Sequence, residues 1–362
     1  MKEINFYASI FNQTGYDNHS RQLVNALYRQ NDAIYLECPK PQDWIRRANS
    51  REMAMMGREP FHNATDICIN LPPFWQLYLA QRPKHFIGWC VWEGTNIPKY
   101  FLGTMKDARV NAIISPSQHT KTAILNTCDA LKEKLFVVPH GVDSRIFRPM
   151  KVNRSDKFTF IANKGWAQSI NDRGGIQWLV KAFCEEFKQE TDVELLCKIN
   201  IAYNMPNWNL FNELMKIDIT PEMSQNVKFI PQNIEYDRLG EFYNQGDVFV
   251  SPTMGDAFNL PVLEAMSCGI PAIVTDFGGQ TDYVNQENGW LVGHELVDVT
   301  WDIMYENCRW GMPDLANLRQ KMRYCYEHKD ECKKNGQAAL QTSQELSWDN
   351  SARHLINLMN EF

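Results

Sequence analysis

The sequence predicts an α/β protein built from two nucleotide-binding-type domains with parallel sheets. Three observations carry this: a length of 362 residues, short apolar runs alternating with helix-patterned segments, and one polar break in that rhythm. Ordinary domains hold roughly 100–200 residues, so the length suits two. Strand patterns alternating with helix patterns mark parallel sheets covered by helices.

The first half carries strand patterns at INFYASI (4–10), AIYLEC (33–38), DICINL (66–71), HFIGWCVW (85–92), NAIISPS (111–117) and KLFVVPHG (134–141). Helical patterns lie between several of them, as in HSRQLVNALYRQ (19–30) and HTKTAILNTC (119–128). The polar stretch VDSRIFRPMKVNRSDK (142–157) has no clear period and is the linker candidate. The rhythm then resumes with strands at 157–164, 193–200, 226–231, 247–252 and 271–276, and helices at 176–187, 238–246 and 260–269. The last third reads as helical and closes on SWDNSARHLINLMNEF. The expected division is 1–148, 149–340 and a terminal helix in 341–362.

Composition bounds the function. With 44% hydrophobic and 22% charged residues, the chain sits near globular averages, which argues against long disorder. A formal net charge of −6 argues against a surface devoted to nucleic acid, since phosphate neutralisation shows as basic excess. The 10 Cys are scattered without a CxxC pair or metal spacing, so the expectation is buried free thiols and no metal. MKEINFYASIF reads as neither a secretory signal nor a lipidation site, and no apolar run reaches the roughly 18 residues of a membrane span. The expectation is a cytoplasmic protein without a transmembrane segment or a cofactor; self-association as a homodimer stays open.

In open α/β sheets, ligands bind at the carboxyl ends of strands, in loops ahead of helix N-termini. Four such loops stand out. NQTGYDNHS (12–20) follows the first strand, and Gly15 there allows a tight turn or a close ligand approach. The alternative is a plain turn in which Asp17 or Asn18 caps the helix. In GWCVWEGTNIPKYF (88–101), Glu93 follows a strand holding Trp89 and Trp92. A carboxylate and aromatic faces suit a sugar, yet the tryptophans can equally be core and Glu93 a helix cap. His119 and His140 also follow or end strands, and HGVD reads more as a domain-closing turn than as a catalytic site.

In NKGWAQSINDRGG (163–175), Lys164 and Arg173 flank a small, polar loop that can bring two cations onto a diphosphate. A solvated basic loop is the other reading. In SPTMGDAFNLPVLEAMSCG (251–269), a strand gives way to a helix with Asp256 in the loop and Glu264 a turn or more inside. Pro261 suits the first turn, and the N–H groups of Phe258, Asn259 and Leu260 would point at an anion at the helix mouth. The two acids either favour the helix start or bind hydroxyls of one ligand.

The stretch DAFNLPVLEAMSCGIPAIVTDFGG resembles the signature region of retaining glycosyltransferases of family 4, also described as glycosyl transferases group 1. The pattern is an acid, seven residues, then Glu, followed by Cys-Gly, Pro and Gly-Gly: here Asp256, Glu264, Cys268, Gly269, Pro271, Gly278 and Gly279. VVPHGVDSRIFRP is similar to the family's interdomain segment, and SWDNSARHLINL resembles its helix that crosses back to the N-terminal domain. The resemblance implies the GT-B fold, with two Rossmann-like domains facing each other across a cleft. It implies an N-terminal acceptor-binding domain and a C-terminal domain for a nucleotide-sugar donor. Glu264 would bind ribose hydroxyls, Asp256 the donor sugar, and Lys164 and Arg173 the diphosphate, with Gly15 across from them. The loop around Gln232, after NVKFIP, would read the base, and Glu93 would take the sugar-facing place of a family His that has no obvious match.

The implied reaction moves a sugar to an acceptor hydroxyl with retention and without a metal; GDP-mannose is the favoured donor, a UDP sugar the other. The sequence departs from the pattern in two places: the first acid is usually Glu, and the basic pair usually lies about six residues apart rather than nine. A sugar-nucleotide epimerase of the same fold would carry its own carboxylate and His set. A non-catalytic nucleotide-sugar-binding protein would bind a donor without turnover.

Overall fold

The computed structural model describes residues 2–12, 14–166, 169–200, 208–300 and 302–361. Gln13, Ala167, Gln168 and Phe362, which fall in segments singled out above, lie outside the described residues. Two compact units emerge: Met1–Gly141 with Val299–Cys308 and Leu346–Phe362, and Val142–Asp298 with Arg309–Glu345.

Unit 1 runs through β1 (Ile4–Ala8), α1 (Gly15–Gln30), β2 (Ile34–Glu37), α2 (Trp44–Arg47), α3 (Ser50–Met56) and β3 (Thr65–Ile69). It continues with α4 (Gln76–Leu79), β4 (His85–Trp89), α5 (Leu102–Met105), β5 (Val110–Ser115), α6 (Gln118–Thr127) and β6 (Leu135–Val137). The strands form one sheet in the order β2-β1-β3-β4-β5-β6, parallel throughout. The stretch 39–85, unreadable from sequence, holds α2 to α4. Asn49 and Glu52 form a capping box on α3, and the fully buried Glu52 also receives Arg21 Nε at 2.7 Å.

Unit 2 holds β7 (Phe158–Gly165), α7 (Ile176–Glu186), β8 (Val193–Asn200), α8 (Leu210–Lys216), β9 (Val227–Ile230), α9 (Leu239–Tyr243) and β10 (Val248–Ser251). After these come α10 (Leu260–Ser267), β11 (Ala272–Thr275), β12 (Gly289–Val292), β13 (His294–Asp298), β14 (Arg309–Pro313), α11 (Leu315–Glu327) and α12 (Lys329–Glu345). The parallel sheet has the order β12-β11-β10-β7-β8-β9, and β13 and β14 form an antiparallel pair. Alternate residues of β8 (Val193, Leu195, Cys197, Ile199) join Phe160, Leu179, Phe183 and Val250 in the core on one face. That leaves Glu194, Leu196 and Lys198 on the other.

The helical reading of the last third is corrected at Gly289–Val292, His294–Asp298 and Arg309–Pro313, which are strands; α-helix resumes at Leu315. From Val299 to Cys308 the chain rejoins unit 1, where Met304 and Tyr305 pack on its core. It rejoins unit 1 again with α13 (Trp348–Met359), which lies on α1; Arg29 reaches Asp349 at 2.6 Å. Gly141 is fixed by this return, because a Cβ there would lie 2.2 Å from the Trp348 nitrogen. All 10 cysteines are free, and Cys128 alone is not fully buried.

Candidate donor-binding site

Unit 2 winds outward from β7 in two directions: β8 and β9 lie on one side, β10, β11 and β12 on the other. The reversal falls between neighbours β7 and β10, and the carboxyl end of such a switch point is the usual ligand position in an open α/β sheet. The loop after β7 carries Arg173 and that after β10 carries Asp256. Both basic residues and both acids of the sequence reading therefore cluster about this one point.

The two loops are knitted by backbone. Met254 N donates to Arg173 O at 2.8 Å, Thr253 Oγ1 donates to the same oxygen at 2.9 Å, and Arg173 NH1 donates to Gly255 O at 2.8 Å. Gly175 sits at φ +78°, and a Cβ on it would lie 2.0 Å from Pro252 O, so only glycine allows this approach. The loop folds back on itself: a Cβ on Gly174 would lie 3.0 Å from Gly165 O and 3.6 Å from Lys164 Cβ. The nine-residue spacing of Lys164 and Arg173 thus closes in space.

Lys164 Nζ donates to Asp256 Oδ2 at 2.5 Å. Asp256 Oδ1 accepts from Phe258 N at 3.0 Å and Asn259 N at 2.5 Å. Burial opposes the charge, but Lys164, Arg173 and these donors outweigh it and hold the Asp256 carboxyl at about 2. This corrects the expectation that the N–H groups of Phe258 and Asn259 point at a ligand: Asp256 already accepts from both. Asn259 is the cap of α10, left-handed at φ 69°, and Leu260 begins the helix with Pro261 in its first turn. The Gly-Gly pair supports this loop from behind, since a Cβ on Gly279 would lie 1.9 Å from Ala257 O.

Glu264 is 5% exposed, within α10. Tyr243 OH donates to its Oε2 at 2.7 Å and accepts from Asn163 Nδ2 at 2.8 Å. Burial raises the Glu264 carboxyl to about 7, against the lowering pull of the Tyr243 bond and of Lys164 and Lys198. Lys198, 6% exposed, lies in register with Asn163 on the neighbouring strand; burial lowers its pKa and Glu264 opposes that. The sequence reading missed Asn163, Lys198 and Tyr243. Lys198 carried a signal, since lysine is almost never fully buried and this one interrupts an apolar strand pattern. Gln232 is exposed in the loop after β9.

In unit 1, Gly15 is the first residue of α1, with no φ in the left-handed region and no atom within 4 Å of a built Cβ. The tight-turn reading is therefore corrected. Thr14 caps the helix by accepting from Asp17 N, while the Asp17 carboxylate accepts from Ser9, Thr14 and Asn12 N. The Glu93 carboxylate accepts from Tyr305 OH, and its carbonyl oxygen lies 2.9 Å from His119 Nε2. Trp89 and Trp92 are 0% and 2% exposed, which removes them as sugar platforms; β4 is a central strand covered on both faces. His140 stacks on His19 at 3.9 Å, with Trp89 and Trp348 beside them.

Two Rossmann-like α/β units, one carrying a cation–carboxylate cluster at its switch point, define the class as the GT-B fold. A glycosyltransferase from Rickettsia africae superposes with a TM-score of 0.73 at 15% identity, covering 99% of this chain and 98% of that one. An Anabaena protein, Alr3699/HepE, in complex with UDP and glucose gives a TM-score of 0.72 at 14% identity over all of both chains. The model of the family described as glycosyl transferases group 1 matches residues 165–301. Over that segment the chain is similar to the family of glycosyl transferases group 1. The D-inositol 3-phosphate glycosyltransferase of Pseudarthrobacter chlorophenolicus is 30% identical over 174 residues, 46% of this chain and 40% of that protein. The MMP alpha-(1->4)-mannosyltransferase of Mycolicibacterium hassiacum is 25% identical over 179 residues, 49% of this chain and 40% of the other. The matches thus span about two fifths of the length of these curated relatives. Among the described residues, no helix is long and apolar enough to cross a membrane and no group of three or more His, Cys, Asp or Glu is placed to hold a metal ion.

Proposed function

We propose that this chain is a retaining glycosyltransferase of family 4 that moves a sugar from a nucleotide diphosphate donor to an acceptor hydroxyl without a metal. The observation that carries the reading is the convergence of Lys164, Arg173, Asp256 and Glu264 on the switch point of unit 2. In the reaction the bond from the anomeric carbon to the phosphate oxygen breaks and the acceptor oxygen bonds to the same face. The acceptor proton passes to the departing phosphate, so no protein nucleophile is needed. Lys164 and Arg173 stabilise the charge that grows on the leaving diphosphate, where preorganised cations have their largest effect.

Asp256 holds Lys164 in place, and Oδ2 keeps a lone pair for a hydroxyl of the donor sugar. Glu264 takes the ribose hydroxyls, Leu260 lies at the mouth of the helix, and the loop at Gln232 reads the base. Unit 2 is the donor domain and unit 1 the acceptor domain. GDP-mannose is the favoured donor, in keeping with the mannosyltransferase relative, and a UDP sugar the other. Calorimetric titration with GDP, UDP and ADP sugars tests the reading. One class should bind, and Glu264→Ala should weaken it at least about tenfold, the loss of a charged hydrogen bond. Binding of no nucleotide sugar refutes the function; equal binding by Glu264→Ala refutes the ribose role alone.

A further inference from the structure

The Asn163–Tyr243–Glu264 chain runs in one direction only. The amide of Asn163 donates to the phenol oxygen, so the single phenol proton is directed at Glu264 Oε2. Tyr243 is fully buried, held between Phe147 and Phe249, which removes any rotation toward solvent. The other carboxylate oxygen, Oε1, makes no hydrogen bond among the described residues.

We propose that Tyr243, oriented by Asn163, is a positioning residue that commits Oε2 of Glu264 inward and leaves Oε1 alone to accept hydrogen bonds from the ribose diol of a nucleoside diphosphate. This rests on the reading of Glu264 as the ribose-binding residue and adds to it which oxygen does the binding and what holds it there. A free carboxylate would rotate between equivalent oxygens; the buried phenol removes that freedom before the ligand arrives, so less ordering remains to be done on binding. Lys198 from β8 and Lys164 from β7 are the cations that favour its ionised form, while Tyr283 and Cys268 are the other titratable groups that sense its charge.

The test is calorimetric binding of UDP and GDP, and of their 2′,3′-dideoxy analogues, to the full chain and to Tyr243→Phe and Asn163→Ala. Wild type should prefer the ribonucleotide. Tyr243→Phe should weaken that ribonucleotide about tenfold and leave the dideoxy analogue within about twofold, with Asn163→Ala intermediate and equally selective. Because the phenol bond lowers the Glu264 carboxyl, Tyr243→Phe should also move the pH midpoint of ribonucleotide affinity upward. If both variants weaken ribo and dideoxy ligands alike, or weaken neither, the positioning role is overturned while the donor site stands. If wild type binds no nucleoside diphosphate of either kind, the donor-site reading falls and takes this one with it.

Discussion

Replacing Asp256 with Asn removes one charge from the centre of the switch-point cluster and keeps the side chain's shape. In the folded protein the Asp256 carboxyl titrates at about 2, against an ordinary 3.8. Each unit of pKa is worth about 1.4 kcal/mol, so the ionised carboxylate contributes about 2 kcal/mol to folding. The folded value lies below the unfolded one, so this contribution is fully present above pH 4 and is lost as the pH falls toward 2. Hydrogen exchange at peptides spanning residues 248–267 reads the stability of this part of unit 2 separately from unit 1. At pH 6 the substitution should reduce protection by about 2 kcal/mol, and between pH 4 and pH 2 the gap to wild type should close. A gap that stays constant across that interval, or none at pH 6, would show that Asp256 is not held ionised by Lys164 and the helix-mouth donors.

Two further outcomes are expected. His19 is fully buried against Trp89, His140 and Trp348, and neither of its ring nitrogens has a hydrogen-bond partner among the described residues. Burial, then the neighbouring His140, pushes its pKa well below 6.5. The unfolded chain therefore binds a proton that the folded one refuses, and His19 should cost unit 1 stability at about 1.4 kcal/mol per pH unit below 6.5. Urea unfolding of His19→Phe across pH 4 to 7 should show a flatter dependence than wild type. Gly175→Ala should lower unit 2 stability by at least about 2 kcal/mol, since a left-handed alanine alone costs roughly 1–3 and its methyl would strike Pro252 O. Hydrogen exchange at residues 169–186 would measure this.

The parallel strands were legible because each is an apolar run that ends where polar residues begin, as in DVFVSP, observed as β10 (Val248–Ser251). The strands β12 to β14 were not, because GWLVGHELVDV mixes apolar and charged positions over short strands, one pair of which is antiparallel and half exposed. At the site, Lys164, Arg173, Asp256 and Glu264 stood out by spacing, but how Asp256 is used did not. Whether a carboxylate faces a ligand or accepts neighbouring N–H groups depends on loop geometry that a sequence does not encode residue by residue. The partners of Glu93 and Glu264 were hidden for a related reason: Tyr305 lies 212 positions from Glu93 and Tyr243 lies 21 from Glu264. Both arrive through topology.

The returns of the chain to unit 1 also bear on synthesis. Residues 1–141 leave the ribosome first, yet the unit they belong to is finished by Val299–Cys308 and then by α13, which docks on α1 and backs Gly141 with Trp348. Unit 2 has all its residues once Glu345 is made, so the half begun first is completed last. Until then the faces of α1 and of Trp92 that these late segments cover lie open, and a nascent chain stalled before residue 346 carries a finished unit 2 beside an unfinished unit 1.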